Sequence, residues 1–471
     1  MKNQIVLALL VVSTAGTAQA MNLEQYLEQV KAKHKSLQAL EYSKEAVELN
    51  RLSGDVELAP RLTLAGGYLS DKKLPNQYSA TEIKANQYSA ELAKRFSTGT
   101  SVALSAEAVQ YEIMNSQLNT VPGKFATGSL GVSVEQSLWK NGFGGATRLR
   151  WEREESVAKA QSGAFDLQQR ALLVQAEASF WDYLTLQEEI KIKKASLDRA
   201  KRIETWVKRR FADGIADKAD LLNAQALVAA RELQLVDSED QFQAAIRGIR
   251  DVLELDPTEA VPTLEGNITN SRPISSMIQG QGKVVKIDAY LSSLESKAKS
   301  SVAREVEDGY SADLVLSGSY KTNSYEENLN KATAEWDDGK RPTSQVGLRW
   351  VYLFDVEAKK GAVGGARKEA LAAKLTSERK MLESDSAWIE INRRYIELGK
   401  RVDAARKISQ LQMARAVEET NKFNKGRSIT SNVITAEEDA AEAELNLTKL
   451  LAEQRKLEAQ GRLFMAVEGD L

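Results

Sequence analysis

Apolar and polar residues alternate along several short segments of the chain. From Arg61 to Tyr68, leucine, glycine and tyrosine fall on one face, and arginine, threonine and alanine fall on the other. Alternation with a period of two predicts strands that have one apolar and one water-facing side. Similar segments predict two blocks of strands, at about 61–139 and about 313–354.

A turn signal inside the first block leaves the number of strands open. The sequence Phe96-Ser-Thr-Gly-Thr100 has alternating residues on both sides, which favours a tight hairpin and six strands per chain. A long external loop at this place would leave four strands. Neither number closes a water-filled barrel alone, so strands that form a membrane pore would have to come from several chains.

Most of the remaining chain has the pattern of long helices. The seven prolines leave two proline-free spans, from Gly123 to Asp256 and from Thr343 to the end, and both are rich in helix-forming residues. Apolar residues recur every seven positions in both spans, which predicts helices that supercoil around each other. These residues are Leu221, Val228, Leu235, Phe242 and Ile249, and then Ala436, Ala443, Leu450, Leu457 and Phe464.

The second half of the chain repeats the first. The segment Phe211–Ala224 recurs 212 residues later as Phe423–Ala436, and two further matches occur at the same offset. We therefore expect two tandem structural repeats, each with a helix, strands, a long helix, a turn and a returning helix. They span 21–255, with its turn at 211–220, and 283–471, with its turn at 423–432; a linker with loop composition joins them at 256–282.

Charge and composition disfavour several classes of function. The chain has 64 basic and 66 acidic residues, a balance that disfavours nucleic-acid binding. With one histidine and no cysteine, the chain lacks the side chains that most zinc sites, thiol nucleophiles and histidine-based triads require. The glycine-rich segment 142–145 lacks the Gly-Lys-Ser/Thr sequence of a phosphate-binding loop. We expect neither an enzyme nor a bound cofactor or metal.

Residues 1–20 are expected to be a signal peptide rather than part of the fold. Lys2 precedes an apolar core from Ile5 to Val12, and Ala18-Gln19-Ala20 has the form of a cleavage site. A transmembrane anchor would need about 20 apolar residues, and the polar residues after Ser13 leave too few. The sequence therefore predicts export.

Together these features resemble the TolC-like outer-membrane efflux and secretion channels. The resemblance covers the mature chain and rests mainly on Phe211-x-x-Gly214 followed by Asp220-Leu-Leu-Asn-Ala224, with its second copy at 423–436. It implies a mixed fold: long coiled-coil helices form an all-α periplasmic barrel, and a homotrimer shares one transmembrane β-barrel in outer-membrane lipid. It also implies a passive exit duct that works with a periplasmic adaptor protein and an inner-membrane pump.

The resemblance assigns roles to individual residues as well. At the helical tips, glycine permits the tight turn between antiparallel helices, and an adaptor is expected to dock there. The tip candidates are Phe211, Gly214, Ile215, Ala216, Asp217, Phe423, Gly426, Arg427 and Ser428. Trp139, Trp350 and Tyr352 lie near strand ends, where they would form an aromatic girdle at the lipid interface, with ordinary packing as the alternative.

The second tip departs from the family pattern. The best-known members close the entrance with a tyrosine, an arginine and a ring of aspartates, and the matching positions here are Phe423, Ser428, Asn432 and Thr435. The closing contacts of the tyrosine and the arginine, and the ring of aspartates, are therefore in doubt for this chain. Arg427, with Asn432 and Thr435, would form the entrance constriction instead; three copies of Arg427 could make it basic, unless this arginine is simply solvated.

Two other hypotheses stay open at this point. An exported coiled-coil structural protein or adhesin without a pore would explain the helices, but it has no need of duplicated turns and alternating strands. A periplasmic hydrolase would need a nucleophile and a base that the sequence does not supply. The sequence does not identify the cargo, the pump or the adaptor.

Overall fold

The computed structural model describes residues 20–73, 80–115, 122–278, 282–336, 341–354 and 356–467. The predicted signal peptide, apart from Ala20, lies outside these ranges. The first half of the chain contains α1 (Leu23–Lys33), α2 (Lys35–Ser53), β1 (Arg61–Asp71), β2 (Glu82–Arg95), β3 (Thr100–Met114), β4 (Lys124–Ser137), α3 (Gly145–Ala212) and α4 (Lys218–Val252). The second half contains β5 (Lys283–Lys286), α5 (Ile287–Gly309), β6 (Asp313–Glu326), α6 (Leu329–Ala334), β7 (Thr343–Val351), α7 (Val356–Asn424), α8 (Thr430–Ala459) and β8 (Phe464–Val467).

The two halves follow the same order of elements around two very long helices. A helix leads into strands in each half (α2 into β1, α5 into β6), and a long helix then leads through a short turn into a returning helix. The long helices α3 and α7 have 68 and 69 residues, as expected for spans without proline. No helix in the described ranges combines the length and apolar character needed to cross a membrane.

The main sheet has six antiparallel strands in the order β1-β2-β3-β4-β6-β7. The hairpin expected at Phe96–Thr100 is confirmed: the Phe96 N–H donates to the Thr100 carbonyl at 2.8 Å, and Gly99 has a φ of +73°. Only glycine adopts this left-handed backbone without a steric cost. The first half therefore contributes four strands to this sheet and the second half two.

The chain folds into two compact units that differ from the two sequence repeats. The helical unit comprises Met1–Lys44, Gly163–Tyr290 and Met381–Leu471, and the sheet unit comprises Glu45–Ser162 and Leu291–Lys380. Each unit takes part of both repeats, since the long helices α3 and α7 belong to both units. Within the helical unit, Tyr26 and Phe180 pack in one buried cluster, and Leu398 and Leu450 pack in another.

The seven-residue pattern of the last helix ends earlier than expected. α8 stops at Ala459, so Phe464 lies in β8, which pairs with β5. The phenylalanine still packs in the core, with its ring centroid 5.4 Å from that of Trp388. Gly461 allows the chain to turn closely past Ile274, where a Cβ would lie only 2.9 Å from the Ile274 Cγ2. The other four residues of the pattern are buried in α8.

Candidate functional site

The first tip (Phe211–Asp220) contains a glycine turn whose N–H groups donate hydrogen bonds to free carbonyls at the end of α3. Gly214 has a φ of +72°, its N–H donates to the Phe211 carbonyl at 3.0 Å, and the Ile215 N–H donates to the Arg210 carbonyl at 2.8 Å. This pair of bonds is the Schellman motif, which pairs the free carbonyls at a helix end. α4 then begins at Lys218.

The second tip (Phe423–Asn432) has the same geometry. Gly426 has a φ of +70°, its N–H donates to the Phe423 carbonyl at 2.9 Å, and the Arg427 N–H donates to the Lys422 carbonyl at 2.8 Å. A Cβ added at either glycine would meet no atom within 4 Å. The requirement for glycine at both tips is therefore one of backbone conformation rather than of space.

The two phenylalanines that open the tips lie in different environments. Phe211 is 40% exposed, whereas Phe423 is only 3% exposed. Phe423 packs with its ring centroid 4.2 Å from that of Trp206, and the Arg210 guanidinium lies over both rings. The prediction that Phe423 is a docking residue is therefore corrected: in this chain it is part of the core that holds the tips together.

That core joins both tips within the helical unit. Ile203 and Val207 of α3, Leu227 of α4 and Val433 of α8 are buried together with Phe423. Ion pairs add to the contact: Arg199 of α3 pairs with Glu437, and other pairs link α8 to α4 and α7. The two tips therefore share one buried core, which ion pairs between the helices supplement.

The other predicted tip residues are at or near the surface. Ile215 is 64% exposed; Gly214, Asp217, Gly426 and Arg427 are also exposed, and Ala216 and Ser428 are partly buried. The Ser428 hydroxyl donates to Glu419 at 2.8 Å, and Lys422 lies 2.9 Å from the same carboxylate. Hydrogen bonds from Lys422 and then Ser428 lower the pKa of Glu419, so this carboxylate stays ionised and fastens the second turn.

The residues predicted for the entrance constriction lie on the exposed side of the second tip. Asn432 and Thr435 are one helical turn apart on α8, and both are exposed. Arg427 is exposed in the turn and takes part in none of the ion pairs among the described residues. No acidic side chain replaces the missing ring at these three positions.

The main sheet has an apolar face that is exposed to the surroundings. The paired register places Leu62, Leu92, Leu104, Val132 and Tyr320 side by side across five strands, and Val346 and Leu348 continue this face on β7. These side chains are between 37% and 82% exposed. Such a large apolar surface is unfavourable in water and indicates a face that meets lipid or another protein.

The opposite face of the sheet is polar. Glu91, Glu107, Glu135, Lys321 and Arg349 alternate with the apolar residues along their strands. The Gln87 amide donates to Glu107 at 2.9 Å on this face. One wet and one apolar face is the arrangement of a wall between water and lipid.

Aromatic residues and α6 border the apolar face at its two ends. Trp350 stacks on Tyr352 at a centroid distance of 5.9 Å, and Trp139 is exposed just after β4. Phe354, in contact with Tyr352 at 5.0 Å, extends this group; its period-two spacing from Trp350 and Tyr352 could have revealed it. At the other end, Ser324 donates to the Ala332 carbonyl and fixes α6 against the sheet.

A buried ion pair near the linker was not predicted. Arg455 and Glu458 of α8 are 1% and 3% exposed and lie 2.9 Å apart. The arginine also donates to the Asn270 carbonyl, and the Ser271 hydroxyl donates to Glu458 at 3.1 Å. The pair therefore holds the linker between the repeats onto α8. No group of three or more metal-ligating side chains occurs in the described part of the chain.

Comparisons with known proteins agree with this architecture. Residues 26–253 match the family model of the outer membrane efflux proteins. A curated relative, toxin and drug export protein A of Aggregatibacter actinomycetemcomitans, is 24% identical over 211 residues, which is 44% of each chain. The chain thus matches less than half the length of that relative.

Solved structures match over nearly the whole chain. The outer membrane protein VceC of Vibrio cholerae has a TM-score of 0.64 at 13% identity, with 94% of this chain and 95% of VceC covered. The open state of the MtrE outer membrane channel of Neisseria gonorrhoeae has a TM-score of 0.63 at 13% identity, covering 94% of this chain and 88% of MtrE. At such identities these likenesses establish the fold. With its duplicated tips and its amphipathic sheet, the chain has the fold of these outer-membrane channels, and residues 26–253 are similar to the outer membrane efflux proteins.

Proposed function

We propose that the protein is a trimeric outer-membrane channel, a passive exit duct for a tripartite efflux or type I secretion system. The observation that carries the proposal is the six-stranded sheet with one exposed apolar face and one polar face. Its partners are a periplasmic adaptor and an inner-membrane pump, which supplies the energy. We expect the chain itself to have no enzymatic activity. A signal peptide at 1–20 directs its export.

The edges of the sheet support assembly from several copies. β1 and β7 are the outermost strands of the main sheet, so each has one side without a partner strand in the described structure. Unpaired edges next to an exposed apolar face are unstable in lipid, because backbone groups there find no water to bond with. Three copies joined edge to edge give three times six, or 18, strands, a number that leaves an aqueous channel.

The polar face of the sheet would then line the channel and the apolar face would meet lipid. Trp139, Trp350 and Tyr352 would form the aromatic girdle at one interface. The tandem repeats at 21–255 and 283–471, joined by the linker 256–282, give each copy two helical tips. In the trimer the six tips form the periplasmic end, and three copies of Arg427, with Asn432 and Thr435, form a basic entrance constriction.

The tips support docking of the adaptor. Both end in the same glycine turn, and both present exposed apolar side chains, such as Ile215 and Ile429. Exposed apolar groups of this kind are typical of a protein interface.

Charged substitutions at both tip glycines test the docking role. We expect Gly214→Glu with Gly426→Glu to abolish export while the trimer still assembles, since a Cβ at either position meets no atom within 4 Å and the cost is confined to the backbone of the turn. The double alanine variant is the control, because it carries the same backbone cost without the charge. Export would be followed as cargo release by intact cells, and assembly by size on native gels. Full export by the charged variant would contradict docking at the tips.

A further inference from the structure

The helix α4 ends at Val252 in the same type of turn as the two tips, but without a glycine. The Glu254 N–H donates to the Asp251 carbonyl at 3.1 Å, and the Leu255 N–H donates to the Arg250 carbonyl at 3.1 Å, which is the Schellman pattern. Glu254 takes the place of the tip glycine and has a φ of +49°. A side chain is strained in this left-handed backbone, and such strain persists only where surrounding contacts impose it.

The carboxylate of Glu254 lies at the beginning of α2. Its Oε1 accepts a hydrogen bond from the Lys35 N–H at 2.7 Å, although the two residues are 219 positions apart in the chain. The first turn of α2 has no acidic residue of its own, so Glu254 supplies the negative charge that a helix N-terminus favours. The Lys35 ammonium lies 3.5 Å from the Glu254 Oε2, but the lysine side chain is 85% exposed, and water weakens such a pair.

The single histidine of the chain faces the same carboxylate. His34 joins α1 to α2: its N–H donates to the Val30 carbonyl at 2.9 Å, and its carbonyl accepts a hydrogen bond from the Leu37 N–H at 3.0 Å. Its Nδ1 lies 3.7 Å from the Glu254 Oε1, and the two side chains are 18% and 22% exposed. This distance is too long for a hydrogen bond, and Nδ1 has no hydrogen-bond partner among the described residues.

Glu254 is the carboxylate within reach of the imidazole. The elements around His34 carry further charged groups, which are Lys31 and Lys33 on α1, Lys35 on α2, Arg170 and Glu177 on α3, and Arg250, Asp251 and Asp256 at or after the end of α4. No other carboxylate in the described ranges forms an ion pair with His34, and Glu177 instead binds Arg462. The basic groups oppose a charge on the imidazole, but the lysines among them are exposed and screened by water.

We propose that His34 and Glu254 form a pH-sensitive clamp, the junction clamp, between the α1–α2 junction and the end of α4. A histidine side chain gains its positive charge between about pH 8 and 5. The charged imidazole carries an N–H at Nδ1 that donates to the Glu254 carboxylate, and such a charge-assisted bond is shorter and stronger than a neutral one. The clamp is therefore tight in acid, whereas at pH 8 the carboxylate is held mainly by the Lys35 N–H.

The junction clamp acts on the helix that returns from the first tip, since α4 begins at Lys218 and ends at Val252. The position 212 residues after Glu254 is Ala466, which lies in β8, so the second repeat has no counterpart of the clamp. Both partners lie in the helical unit of one chain. The clamp therefore goes beyond the proposed function and does not depend on it.

The nuclear magnetic resonance signal of the histidine reports on the clamp directly. The chain has one histidine, so the full-length protein, purified in detergent without a histidine tag after growth on isotope-labelled histidine, gives one imidazole signal. We expect the midpoint of its titration to lie about one pH unit lower in Glu254→Gln, because the carboxylate favours the charged imidazole. Glu259→Gln is the control: this carboxyl is exposed five residues further on, and the midpoint should not move. An unchanged midpoint in Glu254→Gln would overturn the proposal.

Thermal melting tests the clamp without relying on a change at Glu254. A bond made by the charged imidazole contributes stability in acid and loses it as pH rises. The original protein should therefore gain about 2 °C in melting temperature over His34→Gln when the pH is lowered from 8 to 5. In a Glu254→Gln background, His34→Gln should have the same effect at both pH values. A difference between the original protein and His34→Gln that is equal at pH 8 and pH 5 would overturn the proposal.

Discussion

Trp206 near the end of α3 and Phe423 at the end of α7 lie with ring centroids 4.2 Å apart, and this contact connects the two tips of one chain. Phe211 holds the corresponding position in the first repeat but is 40% exposed. The same sequence motif therefore supplies a core residue in one repeat and a surface residue in the other.

Removing the buried ring should loosen both tips. Phe423→Ala leaves a cavity under Trp206, and deletion of a buried phenylalanine costs about 3–5 kcal/mol. We expect faster amide hydrogen exchange at 203–228 and 423–436. Phe211→Ala is the matched control and should change exchange little; equal effects of the two substitutions would contradict the assigned burial.

The tip glycines should be required for their backbone angles. Gly214→Ala or Gly426→Ala places a side chain at positive φ, which costs about 1–2 kcal/mol each, and should lower the temperature at which the trimer melts. Gly361→Ala in α7 is the control: the position is helical with open space around it, so alanine should stabilise by about 1 kcal/mol. A tip substitution that raises the melting temperature would argue against the Schellman turn.

Much of this architecture could be read from the sequence. The period-two segments, the absence of proline and the glycine at each tip are local signals, and they predicted strands, long helices and turns. The burial of Phe423 could not be predicted, because it depends on Trp206, which is more than 200 residues away in the chain. The same limit applies to Arg455, whose partner carbonyl is on Asn270. The seven-residue spacing predicts Phe464 in a helix because the pattern continues past Ala459, where α8 ends.

Loss of one partner of the buried Arg455–Glu458 ion pair should destabilise the fold more than loss of both. Arg455→Met leaves the Glu458 carboxylate buried without its cation, and such a change costs about 3–5 kcal/mol. Arg455→Met with Glu458→Met removes both charges and should recover most of that loss. The energetic coupling between the two residues is measured by denaturant unfolding of the original protein, Arg455→Met, Glu458→Met and the double variant. If the effects of the two single substitutions simply add, the coupling is contradicted.

The loss in Arg455→Met should depend on pH. Burial raises the pKa of Glu458, and Arg455 opposes the rise; without the arginine the pKa rises further. A carboxyl whose folded pKa lies above its unfolded value stabilises the fold in its protonated form, so the single variant should regain stability as pH falls from 8 toward 5. A loss that is constant over this range would contradict a buried carboxylate as its cause.

The turn of the second tip should loosen in acid. Hydrogen bonds from Lys422 and Ser428 hold the pKa of Glu419 below its ordinary value of 4.5. The contribution of this carboxylate is therefore complete above pH 4.5 and is lost as pH falls through the lowered value. Amide exchange at 425–429, corrected for its intrinsic pH dependence, should accelerate there. Glu419→Gln should exchange faster at all pH values and show no such transition; a transition that persists in this variant would assign it to another group.

In the proposed channel, three copies of the six-stranded sheet share one barrel. Electron microscopy of the full-length protein, extracted in detergent from outer membranes, tests it most directly. We expect a hollow particle with three-fold symmetry, 18 strands in its barrel and helical tips at one end. A compact monomer or a solid rod of helices without a pore would contradict it.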